Sequence, residues 1–487
     1  MALTAPREIA RDFLYLSVAR VFSLAVGFLR SLFIPRLLGT TSYGMWKTLG
    51  IIQSYAQFSD LGAAAALKRE IPFYTQRGEP DKVAEVRDIA FLVNHVALLL
   101  VASGVLAVSF AIPEPAYARA LRLFVLLLYI SQVNNFLDQL LLWRKEFRSA
   151  SQISLILAVI ETALAVGGTW LYGIDGLIVG TFAAYAAAVL IQLRRIRFEI
   201  GFAFRWAAYV DLVKVGFPSH VNGLLYNIFM SIDRVLILPA LGLDALGLYG
   251  LGMTINEYLF QFSYALGNAI SPRLVERWSE SRSMAAMRPI VEKPTLAIAV
   301  AAPAVLGSVY FLAEGAVEVA LPAFRGAVVP LQILLVGTFF SSLHRGLSSF
   351  FLAIRKQARL FPAYGGAILL NAALVSAALA GGWGIVGVAV ATSTALAAFS
   401  LTLITMAMSF FLNGLPAHAR FLGTLLAPLA WGAAAVGAGA AARAWALANG
   451  PILAGGIGLA AFGLVYAPAL YLGYRRLQGR SARAEQS

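Results

Sequence analysis

The sequence predicts an all-α integral membrane protein of about fourteen transmembrane helices, in two parallel-repeat six-helix bundles plus two C-terminal helices. Hydrophobic residues make up 60% of the chain and charged residues 13%, whereas soluble domains are about half apolar and a quarter charged. Apolar runs of about 20 residues, long enough to cross ~30 Å of hydrocarbon as helix, recur almost from end to end. Several short motifs also recur between the two halves of the chain.

The apolar runs define fourteen predicted spans. The first six lie at 13–35, 45–67, 89–111, 119–142, 150–172 and 177–193. The next six lie at 212–238, 247–271, 295–313, 327–352, 361–382 and 387–411, and the final pair at 421–441 and 452–474. The connections between them are short, so we expect no sizeable domain outside the membrane. A surface helix is expected from Pro80 through Arg87, although a solvated charged loop is an equal alternative.

The charge distribution predicts the orientation. If the N-terminus is cytoplasmic, most of the 38 Lys and Arg residues fall in cytoplasmic segments, and both termini lie on that side. The net charge of +14 is then explained by topology and requires no nucleic acid partner. The chain has no cysteine, and it has neither a P-loop motif nor a zinc protease motif, so we expect no ATP-driven pump, metal or cofactor.

Three motifs of the first six spans recur in the next six. Residues 35–39 and 43–46 recur as 239–242 and 246–249, and the glycines and the final aromatic residue of these segments align at an offset of 203. Residues 144–148 and 173–176 recur as 355–359 and 384–387, at an offset of 211. Because six spans are an even number, both repeats should enter the membrane in the same sense. The predicted divisions are a lobe at 1–200, a lobe at 201–415, and an added helix pair with a basic tail at 416–487.

Charged residues within the spans are candidates for function, because each costs about 2.5–3.5 kcal/mol at the bilayer centre. The basic ones are Arg20, Arg30, Arg234 and Arg345, and the acidic ones are Asp60, Asp138, Glu161, Asp233 and Glu257. Helical spacing places Asp60 on a face with Gln53 and Gln57, and Glu257 on a face with Gln261. These polar faces either line a polar cavity between the two bundles or form interhelical hydrogen bonds and ion pairs. For the arginines the first interpretation is favoured, because guanidinium is the preferred partner of a diphosphate.

The chain resembles the polysaccharide and O-antigen flippase family, within the multidrug, oligosaccharidyl-lipid and polysaccharide exporter superfamily. The resemblance rests on residues 36–46, 58–62, 68–70, 215–218, 231–234, 247–249, 272–274 and 384–387. It implies transfer of an undecaprenyl-diphosphate-linked oligosaccharide to the outer leaflet of a bacterial cytoplasmic membrane by alternating access, as in O-antigen and lipopolysaccharide synthesis. Asp233 and Arg234 are carried over from a family motif.

The hypothesis is therefore a lipid-linked oligosaccharide flippase and not an enzyme. Its substrate-binding residues would be Arg20, Arg30, Asp233, Arg234 and Arg345. The residues that line a polar cavity or couple H⁺ or Na⁺ would be Asp60, Asp138, Glu161, Glu257 and Gln261. Membrane lipids are expected partners, together with a polysaccharide polymerase and a chain-length protein. The alternatives are a gradient-driven exporter of small organic cations and a membrane polymerase or transferase of the same pathway.

Overall fold

The computed structural model describes residues 6–196, 201, 204–446 and 451–485. Within those ranges, the side chains of residues 6–14, 196, 262–269, 345, 451 and 476–485 lie outside the description. No β-strand occurs in the described part of the chain, which is helical almost throughout. The predicted all-α class is confirmed.

Twelve α-helices follow one another in the described ranges. They are α1 (Pro6–Ala56), α2 (Ala63–Arg77), α3 (Pro80–Ala111), α4 (Pro115–Trp143), α5 (Phe147–Ile196), α6 (Trp206–Ser281), α7 (Met284–Ala320), α8 (Val328–Ala353), α9 (Leu360–Ala380), α10 (Gly384–Met408), α11 (Leu415–Ala446) and α12 (Pro451–Glu485). Two short 3-10 turns flank α8, at Pro322–Ala327 and Gln357–Arg359. Eleven of the described helices, all except α2, are long and apolar enough to cross a membrane, so the chain is a multi-pass membrane protein.

Three of these helices each contain two of the predicted spans. At 1.5 Å per residue the 50-residue α5 would be about 75 Å long, more than twice the hydrocarbon thickness. Its helical dihedrals are interrupted at Tyr172 and Gly173. Those of α1 and α6 are interrupted at Gly39 and Gly242. The eleven spanning helices therefore accommodate the fourteen predicted segments.

Close contacts show that the chain folds back at two of these interruptions. In α5, a Cβ added at Gly168 would lie 2.2 Å from the carbonyl oxygen of Gly176, on the other side of the break. In α6, the hydroxyl of Tyr249 lies 2.6 Å from Asp233, although sixteen residues of straight helix would span about 24 Å. Each of these long helices is therefore a hairpin of two membrane-spanning segments.

The backbone carries the predicted internal repeat. Gly39 (φ 72, ψ −179) and Gly242 (φ 80, ψ −173) have the same dihedrals, in a region that essentially only glycine adopts. They are separated by the offset of 203 found in the sequence. Gly173 and Gly384, at the offset of 211, have φ values of 61 and 58. Equivalent turns thus end equivalent spans in the two repeats.

One part of the repeat is aligned differently from the sequence prediction. The left-handed residues that follow α4 and α8 are Lys145 and Arg355, with φ values of 62 and 57. The N–H groups of Glu146 and Lys356 then donate to Leu141 and Phe351, which closes the same capping motif in both. The structural offset here is 210, one less than that of the basic motif, because the cap is specified by backbone geometry and not by the basic side chains.

The structure differs from two predictions made for residues 57–87, at and beyond the end of the second span. The helix expected to run to residue 67 ends at Ala56, and a turn over 57–62 separates it from α2. Leu61 and Gly62 both have positive φ, which a continuous helix does not allow. The surface helix expected at Pro80–Arg87 is instead the first part of α3, which continues unbroken into the next span.

Packing divides the chain into two compact units, Met1–Ser231 and Ile232–Ser487. The lobe boundaries at residues 200 and 415 stay predictions. In the first unit α1 packs on α5, α5 on α4, α4 on α3, and α3 on α2. Buried apolar residues of α2, α3 and α4, including Leu67, Ile89 and Leu137, form its largest described core. This core packs α2, α3 and α4 together.

The second unit contains two packed groups of helices. In the first, α8 packs on α7 and α10, and α10 packs on α9. In the second, α11 and α12 pack on each other and on α7. Phe311 of α7 is buried between Gly439 and Gly458, where an added Cβ would come within 3 Å of its ring. The small residues of the C-terminal pair therefore bring α11 and α12 close to α7.

Candidate functional site

The first unit contains an ion pair at the depth of a membrane-spanning segment. Arg30 of α1 contacts Glu161 of α5 directly, and their side chains are 30% and 14% exposed. Arg30 lies nine residues before the turn at Gly39, about 14 Å along a helix, which is near the middle of a 30 Å hydrocarbon layer. Tyr185, in the second segment of α5, interacts electrostatically with both partners and with Asp138. The pair therefore joins two predicted candidates in one polar cluster.

Asp138 of α4 is held by two amide side chains. Gln192 of α5 donates to its Oδ1 at 2.7 Å, and Asn134 donates to its Oδ2 at 3.5 Å. Asn134 is buried beside the carboxylate, whereas the adjacent Asn135 is exposed. The sequence pattern missed Gln192, because nothing in the spacing of α5 indicates which residue meets α4.

Asp60 does not lie on the helical face that was predicted for it, because α1 ends before it. Its Oδ1 accepts the N–H of Gly62 at 3.1 Å, and its Oδ2 accepts that of Ala64 at 2.7 Å. The ring of His220, on α6 within the same unit, lies with Nδ1 3.7 Å from Oδ1. Nε2 of the same ring lies 3.1 Å from the carbonyl oxygen of Phe58, which makes Nε2 the donor. Asp60 therefore caps α2 and closes the turn over 57–62.

The second unit holds a buried carboxylate at the equivalent position of the repeat. Asp233 lies nine residues before Gly242, as Arg30 lies before Gly39, and it is 1% exposed. Tyr249 donates to its Oδ2 at 2.6 Å, and the N–H of Arg234 donates to its Oδ1 at 2.7 Å. Thr392 lies 3.4 Å from Oδ2. The same place in the two repeats thus carries opposite charges.

Arg234 lies between two acids of its own unit. Its Nε is 3.8 Å from Asp233, and its terminal nitrogen is 3.5 Å from Glu257. The Arg234 side chain is 15% exposed and that of Glu257 is 55% exposed. The adjacent acid and base therefore interact, although neighbouring residues project about 100° apart on a helix.

Three predicted site residues remain, namely Arg20, Gln261 and Arg345. Arg20 is exposed, and Gln261 is half-buried on α6. The side chain of Arg345 lies outside the described residues. Its neighbour His344 is buried, with Nδ1 2.7 Å from the hydroxyl of Ser400. In the described part of the chain, no group of three or more His, Asp or Glu residues could hold a metal ion.

An apolar cavity of about 220 Å³ lies within the second unit, between α7, α8 and α11. Pro303, Leu306, Phe339 and Leu429 are among its lining residues. Its one amide side chain, Gln332, donates to the carbonyl oxygen of Tyr310 at 3.2 Å. The cavity offers contact surface for a hydrocarbon chain.

Comparisons with known proteins give a family and a fold. A family model described as polysaccharide biosynthesis protein matches residues 33–323. No curated protein matches the chain. A structure of the lipid II flippase MurJ in an inward closed conformation matches with a TM-score of 0.71 and 15% identity, covering 95% of this chain and 99% of that one.

Two further solved structures share the architecture. A MOP superfamily transporter from Pyrococcus furiosus, described as having a binding pocket of reverse polarity, has a TM-score of 0.60 and 13% identity, covering 85% of this chain and 96% of its own. An inward-facing multidrug resistance MATE family transporter of the MOP superfamily has a TM-score of 0.59 and 14% identity, with coverages of 82% and 98%. At these identities the likeness establishes the fold.

Proposed function

The chain belongs to the polysaccharide biosynthesis protein family, and from this premise we propose that it is a flippase for a lipid-diphosphate-linked oligosaccharide. The cargo would be an undecaprenyl-diphosphate-linked oligosaccharide, moved from the inner to the outer leaflet by alternating access. The observation that carries the proposal is Arg30, a guanidinium near mid-bilayer depth that keeps 30% of its side-chain surface exposed. An arginine placed there for packing alone would be costly and would gain nothing from exposure.

The chemistry of the cargo accounts for the basic residues. A diphosphate presents several anionic oxygens to which a guanidinium donates two parallel hydrogen bonds. We assign this role to Arg30 and Arg234, with Asp233 positioning the Arg234 backbone, and extend it to Arg20 and Arg345 from the sequence pattern. Asp138, Glu161, Glu257 and Gln261 remain candidates for sugar hydrogen bonding or for H⁺ or Na⁺ coupling. Asp60 is proposed for the same role, in addition to its capping of α2.

The lipid tail requires an apolar surface in the same protein. The cavity between α7, α8 and α11 is lined mainly by apolar side chains, and its amide is already hydrogen-bonded. An isoprenoid segment placed there would cover the Gln332 amide without leaving it unpaired. This supports a role for α11, the first helix of the C-terminal pair, in holding the tail.

Export of small organic cations is the second candidate function, and Glu257 favours it. This carboxylate is 55% exposed, whereas its partner Arg234 is 15% exposed, so a cation would reach the acid more easily than an anion would reach the base. An enzyme of the same pathway is the third candidate. It is disfavoured because the sequence provides no large aqueous loop for chemistry on a hydrophilic substrate.

Reconstitution distinguishes the three candidates. Purified protein in vesicles would be given a fluorescent lipid-diphosphate oligosaccharide in both leaflets, and its transfer measured by accessibility to an external quencher. A flippase accelerates transfer and leaves the cargo's mass unchanged, whereas an enzyme changes that mass. Vesicles loaded with a fluorescent organic cation test the exporter. Cation efflux without lipid transfer would contradict the proposal.

The cellular setting is part of the proposal. We place the protein in a bacterial cytoplasmic membrane with both termini cytoplasmic, on the basis of the charge distribution, and in a pathway of the O-antigen and lipopolysaccharide type with a polymerase and a chain-length protein as partners. Because the chain has no cysteine, single cysteines introduced at positions 145 and 173 can be labelled without removing native ones. Labelling of residue 145 from the cytoplasm and of residue 173 from outside is expected.

A further inference from the structure

The ion pair between Arg30 and Glu161 lies on two helices in fixed register. Seven residues earlier in each helix, the hydroxyls of Ser23 and Ser154 are 3.4 Å apart. Because both contacts advance by the same seven residues, or two helical turns, the two segments run parallel side by side. The carboxylate of Glu161 is therefore held against the guanidinium by helix packing.

The Arg30 side chain is more exposed than that of its partner Glu161, which leaves the guanidinium open to a second anion. Glu161 is 14% exposed and Arg30 is 30% exposed, so the guanidinium keeps accessible surface while the acid faces it. Among the described titratable groups, Tyr185 interacts electrostatically with both members of this pair and with Asp138. A carboxylate and a phosphate oxygen use the same N–H donors of a guanidinium.

We propose that Glu161 is a resident competitor for the diphosphate at Arg30, a role that rests on the proposed flippase function. In the empty protein Glu161 neutralises Arg30, and on loading the diphosphate displaces it. Arg30 therefore has an anionic partner in both states. Glu161 weakens cargo binding and thereby speeds cargo release and the return of the empty protein.

Removing the Glu161 carboxylate should strengthen diphosphate binding, whereas removing a merely structural acid should weaken it. Glu161→Gln removes the competitor, so the Kd for a diphosphate should fall about tenfold, at the lower end of the effects measured for close charge pairs. The turnover rate should fall about threefold or more, because Arg30 of the empty protein then loses the carboxylate that neutralises it in the membrane. Loss of a structural ion pair would weaken binding instead.

The test measures binding and transfer on the full-length protein. Binding uses a fluorescent short-chain prenyl diphosphate, with the matching prenyl alcohol as a probe that lacks the anion. Transfer uses the labelled lipid-diphosphate oligosaccharide, and the lipid concentration for half-maximal rate gives a second measure of affinity. The control is Asp175→Asn, which removes an acid of the same helix that pairs with Arg119 at 2.7 Å. This variant should change neither the Kd of the probe nor the lipid concentration for half-maximal rate.

A double-mutant cycle links the effect to Arg30. In an Arg30→Gln background, Glu161→Gln should give no gain in affinity, because the competed group is gone. If Glu161→Gln is not recovered folded, Glu161→Asp keeps the charge but shortens the side chain, and should tighten binding about threefold.

The outcomes separate this inference from the proposed function. If the unmodified protein transfers the lipid but Glu161→Gln or Glu161→Asp leaves affinity unchanged or weaker, the competitor role is wrong and the flippase function stands. A gain that persists without Arg30 would also overturn it. If the unmodified protein neither binds the diphosphate probe nor transfers the lipid, the proposed function itself fails.

Discussion

Tyr249 and Asp233, which lie in two different segments of α6, are joined by a 2.6 Å hydrogen bond from the phenol to the carboxylate. Both side chains are buried, at 0% and 1% exposed. The bond crosses the turn at Gly242 and ties the two segments of the hairpin together. Asp233 is the family-motif residue carried over from the sequence, and this geometry gives it a structural role beside Arg234.

Tyr249→Phe should lower the stability of the second unit. It removes the donor from a buried carboxylate, and hydrogen bonds to charged groups contribute about 1.5–3 kcal/mol. A lower midpoint of thermal unfolding in detergent would show the effect. Tyr129→Phe, which removes a hydroxyl from a half-buried tyrosine packed on His95, is the control and should leave the midpoint unchanged. Equal midpoints for the two variants would contradict the role of the bond.

Asp60→Ala should loosen the start of α2. The carboxylate accepts the N–H groups of Gly62 and Ala64, and loss of such a cap costs about 0.5–2 kcal/mol. Hydrogen exchange of the amides of residues 62 and 64 is the direct measurement and should become faster. Asp60→Asn keeps an acceptor oxygen and should show a smaller change. Unchanged exchange in the alanine variant would mean that helix packing alone holds the turn.

Alanine at Gly39 or Gly242 should destabilise the turn that each glycine forms. Gly39 and Gly242 have dihedrals that cost a non-glycine residue about 1–3 kcal/mol. The matched control is Gly50→Ala, within helical α1 and with open space around an added Cβ, where alanine should leave stability unchanged or slightly raised. Thermal unfolding of the three variants checks this, and a Gly50 variant as unstable as the other two would refute the backbone argument.

Gly168→Ala should separate the two segments of α5. The added Cβ would lie 2.2 Å from the carbonyl oxygen of Gly176, and backbone cannot yield as a side chain can. Overpacking of this kind costs about 1–3 kcal/mol. The neighbouring Gly167 has open space at its Cβ, so Gly167→Ala controls for composition. Both variants can be compared by unfolding temperature, and the prediction fails if Gly168→Ala unfolds no earlier than Gly167→Ala.

Sequence reasoning predicted the helices well because hydrophobic length is a local property. The fourteen spans and the repeat glycines could be read from runs and spacings. The break after Ala56 was missed because apolar residues resume after it and extend to residue 67, although Ser59, Asp60 and Gly62 are residue types that favour turns. The capping role of Asp60 became visible only once the backbone was known to turn.

The partners of the charged residues were the part that sequence could not supply. Periodicity gives the face of a helix on which a residue lies, but not the helix that the face meets. The contact of Arg30 with Glu161 depends on the register between α1 and α5. In the sequence, Tyr249 is only the last residue of segment 246–249, which repeats segment 43–46. Its role depends on the fold-back at Gly242.

The central claim is that a guanidinium in the membrane-spanning part of the chain binds the diphosphate of the cargo. Its most direct test is the initial rate of lipid-diphosphate oligosaccharide transfer by an Arg30→Gln, Glu161→Gln double variant, which leaves neither partner as an unpaired charge. The account predicts a rate at least about tenfold below that of the unmodified protein, with Arg119→Gln as an unaffected control. Transfer by the double variant within about twofold of the unmodified rate, a difference of about 0.4 kcal/mol in activation free energy, would contradict it.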